Sequence, residues 1–146
     1  MLSLKITTHI YIHATPEQVW QVLTDFKSYE SWNSFIRKVE GKLNIGEKLK
    51  IRIHPTKQKA MEFKPTLLEV KNAQSLSWLG HFLILGLLDG EHHFKLCSQE
   101  DGSTCLVHSE TFSGLLVPMM RNNLKSIRKD FEYMNQFLKL FVESKL

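Results

Sequence analysis

The sequence predicts an α+β fold in which a curved antiparallel sheet of about six or seven strands packs on one long C-terminal α-helix. Two observations predict this fold. Segments of alternating apolar and polar residues recur between residues 4 and 112, separated by turn signals. In the final segment, residues 115–146, apolar side chains recur at alternating steps of four and three, the spacing of one helical face. At 146 residues, the chain fits a single domain that spans residues 1–146.

The N-terminal part combines one strand with two short helices. From Leu4 to Ile12, every second residue is apolar or Thr, which is typical of a strand with one buried face. Thr15 is a good helix N-cap, and Pro16 after it suits the first helical position. Asp25 then caps a second short helix that ends near Trp32.

Four further strands are predicted between residues 33 and 80, with turns between them. One of these strands contains Met61 and Leu67. Pro65 lies within it and lacks a backbone N–H, so we expect this strand to lie at a sheet edge or to contain a bulge.

Residues 82–88 are apolar but do not alternate, and they precede the turn pair Asp89-Gly90. We interpret them as a partly buried loop with a flexible point at Gly86, where the loop would gate an internal cavity. An irregular core strand is the alternative.

The last two strands form a hairpin around Asp101. A three-residue loop sets His92 opposite Glu110 and Phe94 opposite His108, and it keeps the apolar residues of both strands on one face. This register places His92, His108 and Glu110 on the inward side.

Several roles are open for these three polar residues, which are the candidate catalytic groups. They form a satisfied cross-strand cluster, anchor the polar group of a ligand, act as an acid/base pair through His92 and Glu110, or hold a metal through two His and one carboxylate. No metal site is predicted, because no upstream residue supplies a typical ligand spacing. Asn135 lies beside the apolar stripe of the final helix, either inside the pocket or at its flank.

The final helix is predicted to run unbroken from Val117 to Val142, with Pro118 in its first turn. Its basic outer face leaves one side to be buried against the sheet. Core packing and ligand contact are both consistent with the side chains expected between sheet and helix. The predicted ligand-contact residues are Trp32, Trp78, His92, Phe94, His108, Glu110, Phe112, Met120, Phe131 and Met134.

Charge and composition narrow the classes of partner. The net charge is +4, and residues 37–71 hold ten Lys or Arg against four Glu. We interpret this as a solvated basic surface, with transient contact to an anionic membrane surface as the alternative. Nucleic acid is not predicted, because the basic residues are not interleaved with exposed aromatic platforms. The sequence does not indicate an oligomeric state.

Several features are absent from the sequence. It has no phosphate-binding loop, dinucleotide fingerprint or zinc pattern, so no cofactor is predicted. It also has no signal peptide and no membrane-spanning stretch. With only two cysteines, Cys97 and Cys105, which face each other in the predicted hairpin, we expect free thiols and a cytoplasmic protein.

Eight local patterns, in this order, resemble the SRPBCC superfamily, whose members have a START-like helix-grip fold. They most resemble the members labelled polyketide cyclase/dehydrase and lipid-transport proteins. The resemblance covers essentially the whole chain and implies a deep apolar cavity between sheet and helix, but no shared set of catalytic residues. The patterns are Ala14–Trp20; Leu23–Phe26 with Tyr29 and Trp32-Asn33; Val39–Gly41 with Gly46; Phe63–Pro65; Leu76–Gly80; Gly90–Phe94; His108–Gly114; and Phe131–Asn135.

Three functions therefore compete. The first is binding of a hydrophobic or amphipathic small molecule, such as a lipid or an aromatic, polyketide-like metabolite, in the cavity. The second is a polyketide cyclase/dehydratase-type enzyme in which His92, His108 or Glu110 transfers protons. The third is a structural or interaction module with a collapsed cavity, from which a pocket of about 300 Å³ or more would distinguish the first two.

Overall fold

The computed structural model describes residues 2–82 and 84–146. Within these residues, eight strands form two antiparallel sheets, and four α-helices and one 3-10 turn (Phe26–Ser28) accompany them. The strands are β1 (Ser3–Ile12), β2 (Ile36–Glu40), β3 (Lys50–Ile53), β4 (Met61–Phe63), β5 (Thr66–Lys71), β6 (Ser75–His81), β7 (Asp89–Ser98) and β8 (Thr104–Ser113). The helices are α1 (Pro16–Thr24), α2 (Tyr29–Trp32), α3 (Val117–Lys125) and α4 (Ile127–Ser144).

The predicted α+β architecture is confirmed, but the strands are divided between two sheets. The larger sheet has the order β1-β8-β7-β6-β5, and the smaller has the order β2-β3-β4. The strand predicted through Met61 and Leu67 is in fact two strands, one in each sheet, with Pro65 between them. Pro65 cannot donate a ladder hydrogen bond, which explains the break. Its carbonyl oxygen instead accepts from the backbone N–H of Leu49 at 2.9 Å.

The N-terminal helix begins as the sequence predicts. The Thr15 hydroxyl accepts from the backbone N–H of Gln18, and the Gln18 side chain accepts from the backbone N–H of Thr15, which completes a capping box. The short helices bury Trp20, Tyr29 and Trp32 against the core.

The C-terminal helix is broken at Ser126, so the prediction of one unbroken helix is wrong. The Ser126 hydroxyl donates to the backbone oxygen of Asn123 at 2.6 Å. A serine that bonds back to the preceding turn competes with the helical ladder. α3 lies over the space between the two sheets, and α4 packs along β1 of the larger sheet.

The loop between β6 and β7 has no strand pairing at its tip, in agreement with its interpretation as a loop. Leu83 lies outside the described residues. Leu88 is buried, whereas Ile84 and Leu85 are exposed. The backbone oxygen of Gly86 accepts from the N–H of Leu115 at 3.1 Å, so the loop lies beside the start of α3.

Candidate functional site

A small apolar cavity lies between the two sheets and α3, and its volume is about 80 Å³. This is well below the roughly 300 Å³ that ligand pockets usually reach, so the cavity is not the deep one that the resemblance implies, and by volume alone it fits the collapsed cavity of the third function. Four polar side chains contribute to its wall: Gln58, His92, Glu110 and Asn123. The apolar part of the wall consists of Phe35, Ile36, Ile51, Ile53, Pro55, Met61, Phe63, Trp78, Phe82, Leu88, Phe112, Met120, Leu124 and Ile127.

The β7–β8 hairpin brings the polar candidates together in the predicted register. His92 pairs with Glu110 and Phe94 pairs with His108. All three candidate groups, His92, His108 and Glu110, are buried on the inward face. Both strands follow the expected alternation, which is why this part of the prediction is confirmed.

A continuous chain of hydrogen bonds runs from Glu110 into the core. Glu110 Oε1 lies 3.0 Å from His92 Nδ1, and His92 Nε2 lies 2.7 Å from His108 Nε2. His108 Nδ1 lies 2.8 Å from Asn135 Oδ1. Asn135 Nδ2 donates to the Thr8 hydroxyl at 2.9 Å, and that hydroxyl donates to the backbone oxygen of His108 at 2.9 Å.

The direction of this chain follows from counting protons. Thr8 uses its proton on the His108 carbonyl, so it accepts from the Asn135 NH₂ group, and Asn135 Oδ1 therefore faces His108. Because Oδ1 only accepts, His108 carries its hydrogen on Nδ1. A neutral His108 then accepts at Nε2 from His92, and a neutral His92 accepts at Nδ1. Glu110 must therefore hold the proton that it shares with His92.

Burial favours this uncharged state at every position. Loss of hydration raises the pKa of Glu110 to about 8 and lowers the pKa of His92 to about 3. Burial also lowers the pKa of His108 well below its usual value, and the neighbouring His92 acts in the same direction. The close His92–Glu110 contact is therefore a hydrogen bond between neutral groups rather than an ion pair.

Aromatic rings surround the two histidines and fix their orientation. His108 stacks between Phe131 and Phe94, with ring centroids at 4.1 Å and 4.6 Å. His92 stacks on Trp78 at 5.1 Å. These contacts leave the rings little freedom to rotate, so the hydrogen-bond chain is held in one geometry.

Gly90 leaves the space that the Glu110 carboxyl group occupies. A Cβ at position 90 would overlap Oε2 of Glu110 and would lie 2.7 Å from the Phe82 ring. Any other residue at this position would displace the acid or the cavity wall. Position 90 therefore requires glycine because there is no room for a side chain.

Half of the ten predicted contact residues line the cavity. These are Trp78, His92, Glu110, Phe112 and Met120. The other five, Trp32, Phe94, His108, Phe131 and Met134, are buried but lie outside the wall. Packing explains their position, because α4 approaches the sheet so closely that the Phe131 ring stacks directly on His108. Trp32 instead stacks on Phe141, with centroids 6.2 Å apart.

Sequence reasoning left out several residues that build the site. Asn135, whose position was left open, points inward and ends the hydrogen-bond chain. Thr8 was predicted only as a core-facing strand position, yet it orients Asn135. Asp130 is buried and accepts from the backbone N–H of Thr56 at 3.3 Å, which holds the loop before β4 against α4. Asp130 could have been found in the sequence, because a carboxylate beside the apolar stripe of a helix indicates a buried acid with a specific partner.

The structure also bears on metals, thiols and membranes. Among residues 2–82 and 84–146, no group of three or more His, Cys, Asp or Glu side chains is arranged to hold a metal ion. Cys97 and Cys105 pair across the hairpin as predicted, and both are free. None of the described helices is both long and apolar enough to cross a membrane.

Comparison with known proteins identifies the family. The profile of the family described as polyketide cyclase / dehydrase and lipid transport matches residues 3–135, which confirms the resemblance stated from the sequence. No curated protein sequence matches the chain.

Solved structures with similar folds are distant in sequence, so they support the fold alone. The Zhui aromatase/cyclase from Streptomyces sp. R1128 has a TM-score of 0.77 at 11% identity, covering 97% of this chain and 94% of that one. A Thalictrum flavum norcoclaurine synthase point mutant, in complex with a transition-state analogue, has a TM-score of 0.75 at 14% identity, with coverage of 98% and 96%. The di-domain aromatase/cyclase BexL, from the BE-7585A biosynthetic pathway, has a TM-score of 0.75 at 10% identity. The match covers 94% of this chain, which spans only 49% of BexL.

Proposed function

Because this chain belongs to the polyketide cyclase/dehydrase and lipid transport family, we propose that it binds a small apolar or amphipathic molecule in the cavity beside Glu110. One observation carries the proposal. A buried, uncharged acid forms part of a wall that is otherwise almost entirely apolar. Such a wall suits a ligand with an apolar body and one polar group that hydrogen-bonds to Glu110.

The charge of the wall indicates the charge of the ligand. Among the described lining residues there is no Lys or Arg. An anionic ligand would find no counter-charge there, whereas a hydroxyl or ketone would find a neutral carboxyl group. The ligand is therefore not anionic at the end that meets Glu110.

Ligand entry must enlarge the cavity. Met61 and Met120 lie in the wall, and both are partly exposed. Methionine side chains are unbranched and adapt their shape readily, so they can move outward at low cost. Phe82 lies beside them, where β6 leads into the loop before β7. The rings of Trp78, Phe82 and Phe112 in the wall would pack well on an aromatic ligand.

Tryptophan fluorescence tests this proposal with 4-bromophenol, an uncharged amphiphile whose bromine quenches on contact. In a Trp20→Phe/Trp32→Phe variant, only Trp78 in the cavity wall remains, and we expect saturable quenching. The matched control, Trp20→Phe/Trp78→Phe, keeps only Trp32, which stacks on Phe141 outside the wall, and should show none. Absence of saturation in both variants would refute the proposal and support a collapsed cavity. Native mass spectrometry of freshly purified protein would give the mass of a co-purified ligand.

A second function, an acid/base enzyme of the cyclase/dehydratase type, is favoured by the directional Glu110–His92–His108 chain. Glu110 would give its proton to the carbonyl oxygen of a bound ketone and take a proton from the adjacent carbon on its other carboxyl oxygen, so that an enol forms while Glu110 and His92 both stay neutral. The test is exchange of deuterium from D₂O into the carbon next to the carbonyl of 2-tetralone. Catalysis requires exchange that Glu110→Gln abolishes, and binding without exchange would leave only the first function.

A further inference from the structure

Five large apolar side chains are exposed together at one end of the molecule, and we call them the apolar tip. They are Leu2, Ile84, Leu85, Leu115 and Met119, and their exposed fractions range from 53% to 82%. Backbone hydrogen bonds join the segments that carry them. The Gly86 oxygen accepts from Leu115, and the Leu2 oxygen accepts from Gly114. Exposed apolar residues scattered singly are ordinary, but a contiguous group on joined segments indicates a contact surface.

The apolar tip lies beside the cavity. Phe82 and Leu88, at the two ends of the loop that carries Ile84 and Leu85, line the cavity wall. Met120, which follows Met119 in α3, lines the same wall. A molecule leaving the cavity between this loop and α3 would therefore pass the apolar tip.

Basic residues flank this end of the molecule. Residues 54–61, 81–89 and 114–126 together hold four Lys or Arg and one acidic residue, Asp89. Asp89 is engaged, since its Oδ1 lies 2.7 Å from His81 Nδ1 and also accepts from the Gly86 N–H. Lys57 and Lys59 are exposed, and Gln58 between them donates to the Asn123 oxygen of α3 at 3.2 Å.

We propose that the apolar tip inserts into the surface of an anionic phospholipid bilayer, with the flanking lysines against the lipid head groups. Apolar side chains surrounded by positive charge fit the boundary between head groups and acyl chains. A purely apolar contact with a second protein chain would not need this charge. The docked orientation places the cavity beside the bilayer, so an apolar ligand would pass between them without crossing water.

Vesicle flotation tests the proposal. Wild-type protein should bind phosphatidylcholine vesicles that contain about 30% phosphatidylglycerol, and it should bind pure phosphatidylcholine much less. Leu85→Asp and Met119→Asp should each lower binding on the order of tenfold. The matched control is Leu140→Asp on α4, whose leucine is 64% exposed outside the apolar tip, and it should bind like wild type. Lys57→Gln/Lys59→Gln should weaken binding to the anionic vesicles, and high salt should remove the difference between this variant and wild type.

Three outcomes would overturn the proposal. The first is that wild-type protein does not float with anionic vesicles, and the second is that Leu140→Asp weakens binding as much as Leu85→Asp. The third is a dimer in size-exclusion chromatography that Leu85→Asp dissociates, which would assign the surface to a second copy of the chain. The cavity function is tested separately, because 4-bromophenol binding by Met119→Asp, which changes neither the wall nor the loop between β6 and β7, is measured without vesicles and should match wild type.

Discussion

Glu110 is the residue on which the chemistry of the cavity depends. It lies in the wall, and its hydrogen-bond partner His92 is as deeply buried as the acid itself. A carboxyl group in such surroundings keeps its proton at neutral pH, because the charged form would lose its hydration without gaining a cation. The same burial keeps the two histidines neutral. These groups therefore affect stability in opposite directions as pH changes.

Stability changes with pH because the native and unfolded states bind different numbers of protons. Between pH 4.5 and about 8, the unfolded chain has lost the Glu110 proton and the native state retains it, so stability falls as pH rises. Between pH 6.5 and about 3, the unfolded chain protonates His92 and the native state does not, so stability falls as pH drops. His108 acts in the same direction as His92. The cluster therefore favours the native state most near pH 6.5.

We predict that Glu110→Gln removes the contribution of Glu110 to the fall in stability above pH 6.5. An amide NH₂ can donate to His92 Nδ1 as the protonated acid does, but it does not titrate. Between pH 6.5 and 8, the free energy of unfolding of wild type should fall by up to about 1.4 kcal/mol per pH unit more than that of the variant, and urea unfolding would measure this difference. Glu110→Leu, which leaves His92 without its partner, should be less stable at both pH values. Equal losses in wild type and Glu110→Gln would mean that Glu110 is already ionised at pH 6.5.

The proton count predicts a specific tautomer for each histidine. Nitrogen-15 NMR at pH 7 should find His108 with its hydrogen on Nδ1 and His92 with its hydrogen on Nε2. Asn135→Leu removes the acceptor at Nδ1, so the His108 tautomer should change while the fold persists. Thr8→Val removes the hydroxyl that orients Asn135, so the Asn135 amide group can rotate by about 180°. His108 should then be a mixture of its two neutral tautomers. Detection of an imidazolium at either position in wild type would contradict the neutral chain.

At the scale of the elements, the sequence predicted what depends on local periodicity. The β7–β8 register followed from alternation and a three-residue turn, and it placed His92 opposite Glu110. Asn135 joins the same chain through Thr8, which is 127 positions away in sequence, and no local pattern reports such a contact. The break at Ser126 depends on one hydroxyl bonding backward, which the helical spacing of apolar residues does not reveal. The cavity volume depends on side chains from many elements packed together, so it also could not be predicted.

The loop between β6 and β7 should act as the moving element of the cavity. Gly86 has φ +88°, and a Cβ added there would meet nothing within 4 Å, so Gly86→Ala strains the backbone without a collision. We expect this variant to change the entry and exit rates of 4-bromophenol by stopped-flow fluorescence. Gly102→Ala is the matched control, because Gly102 has φ +86°, equally free space, and a place in the β7–β8 turn, where no residue lines the cavity.

Hydrogen exchange provides the second measurement on this loop. Amides from Ile84 to Leu88 should exchange faster than those from Phe94 to Leu96, and 4-bromophenol should slow them. If the loop amides exchange as slowly as the strand amides in the absence of ligand, or if Gly102→Ala alters the entry and exit rates as much as Gly86→Ala, the loop is not the gate.

At the scale of the whole molecule, the cavity exists because two sheets meet at few points. Lys48 and Thr66 form an isolated bridge, and the Gly46 N–H donates to the Leu67 carbonyl oxygen at 2.8 Å. The smaller sheet contacts the larger one again where the Phe63 ring lies against Gly80 of β6. Phe63 also packs on Phe82, with centroids 4.7 Å apart, so this contact links both sheets with the loop.

Gly80 permits the close approach of the two sheets, and we predict that Gly80→Ala pushes them apart. A Cβ there would lie 2.9 Å from Phe63 Cδ2 and 3.5 Å from Pro65 Cβ, so the ring must shift. Overpacking of this kind typically costs about 1–3 kcal/mol, and urea unfolding would measure it. Because the displaced ring forms part of the cavity wall, 4-bromophenol should also enter faster. Phe63→Ala in the same chain removes the collision, so the two changes should be non-additive by at least about 0.5 kcal/mol. Additive costs with an unchanged entry rate would mean that the sheets do not separate at this contact.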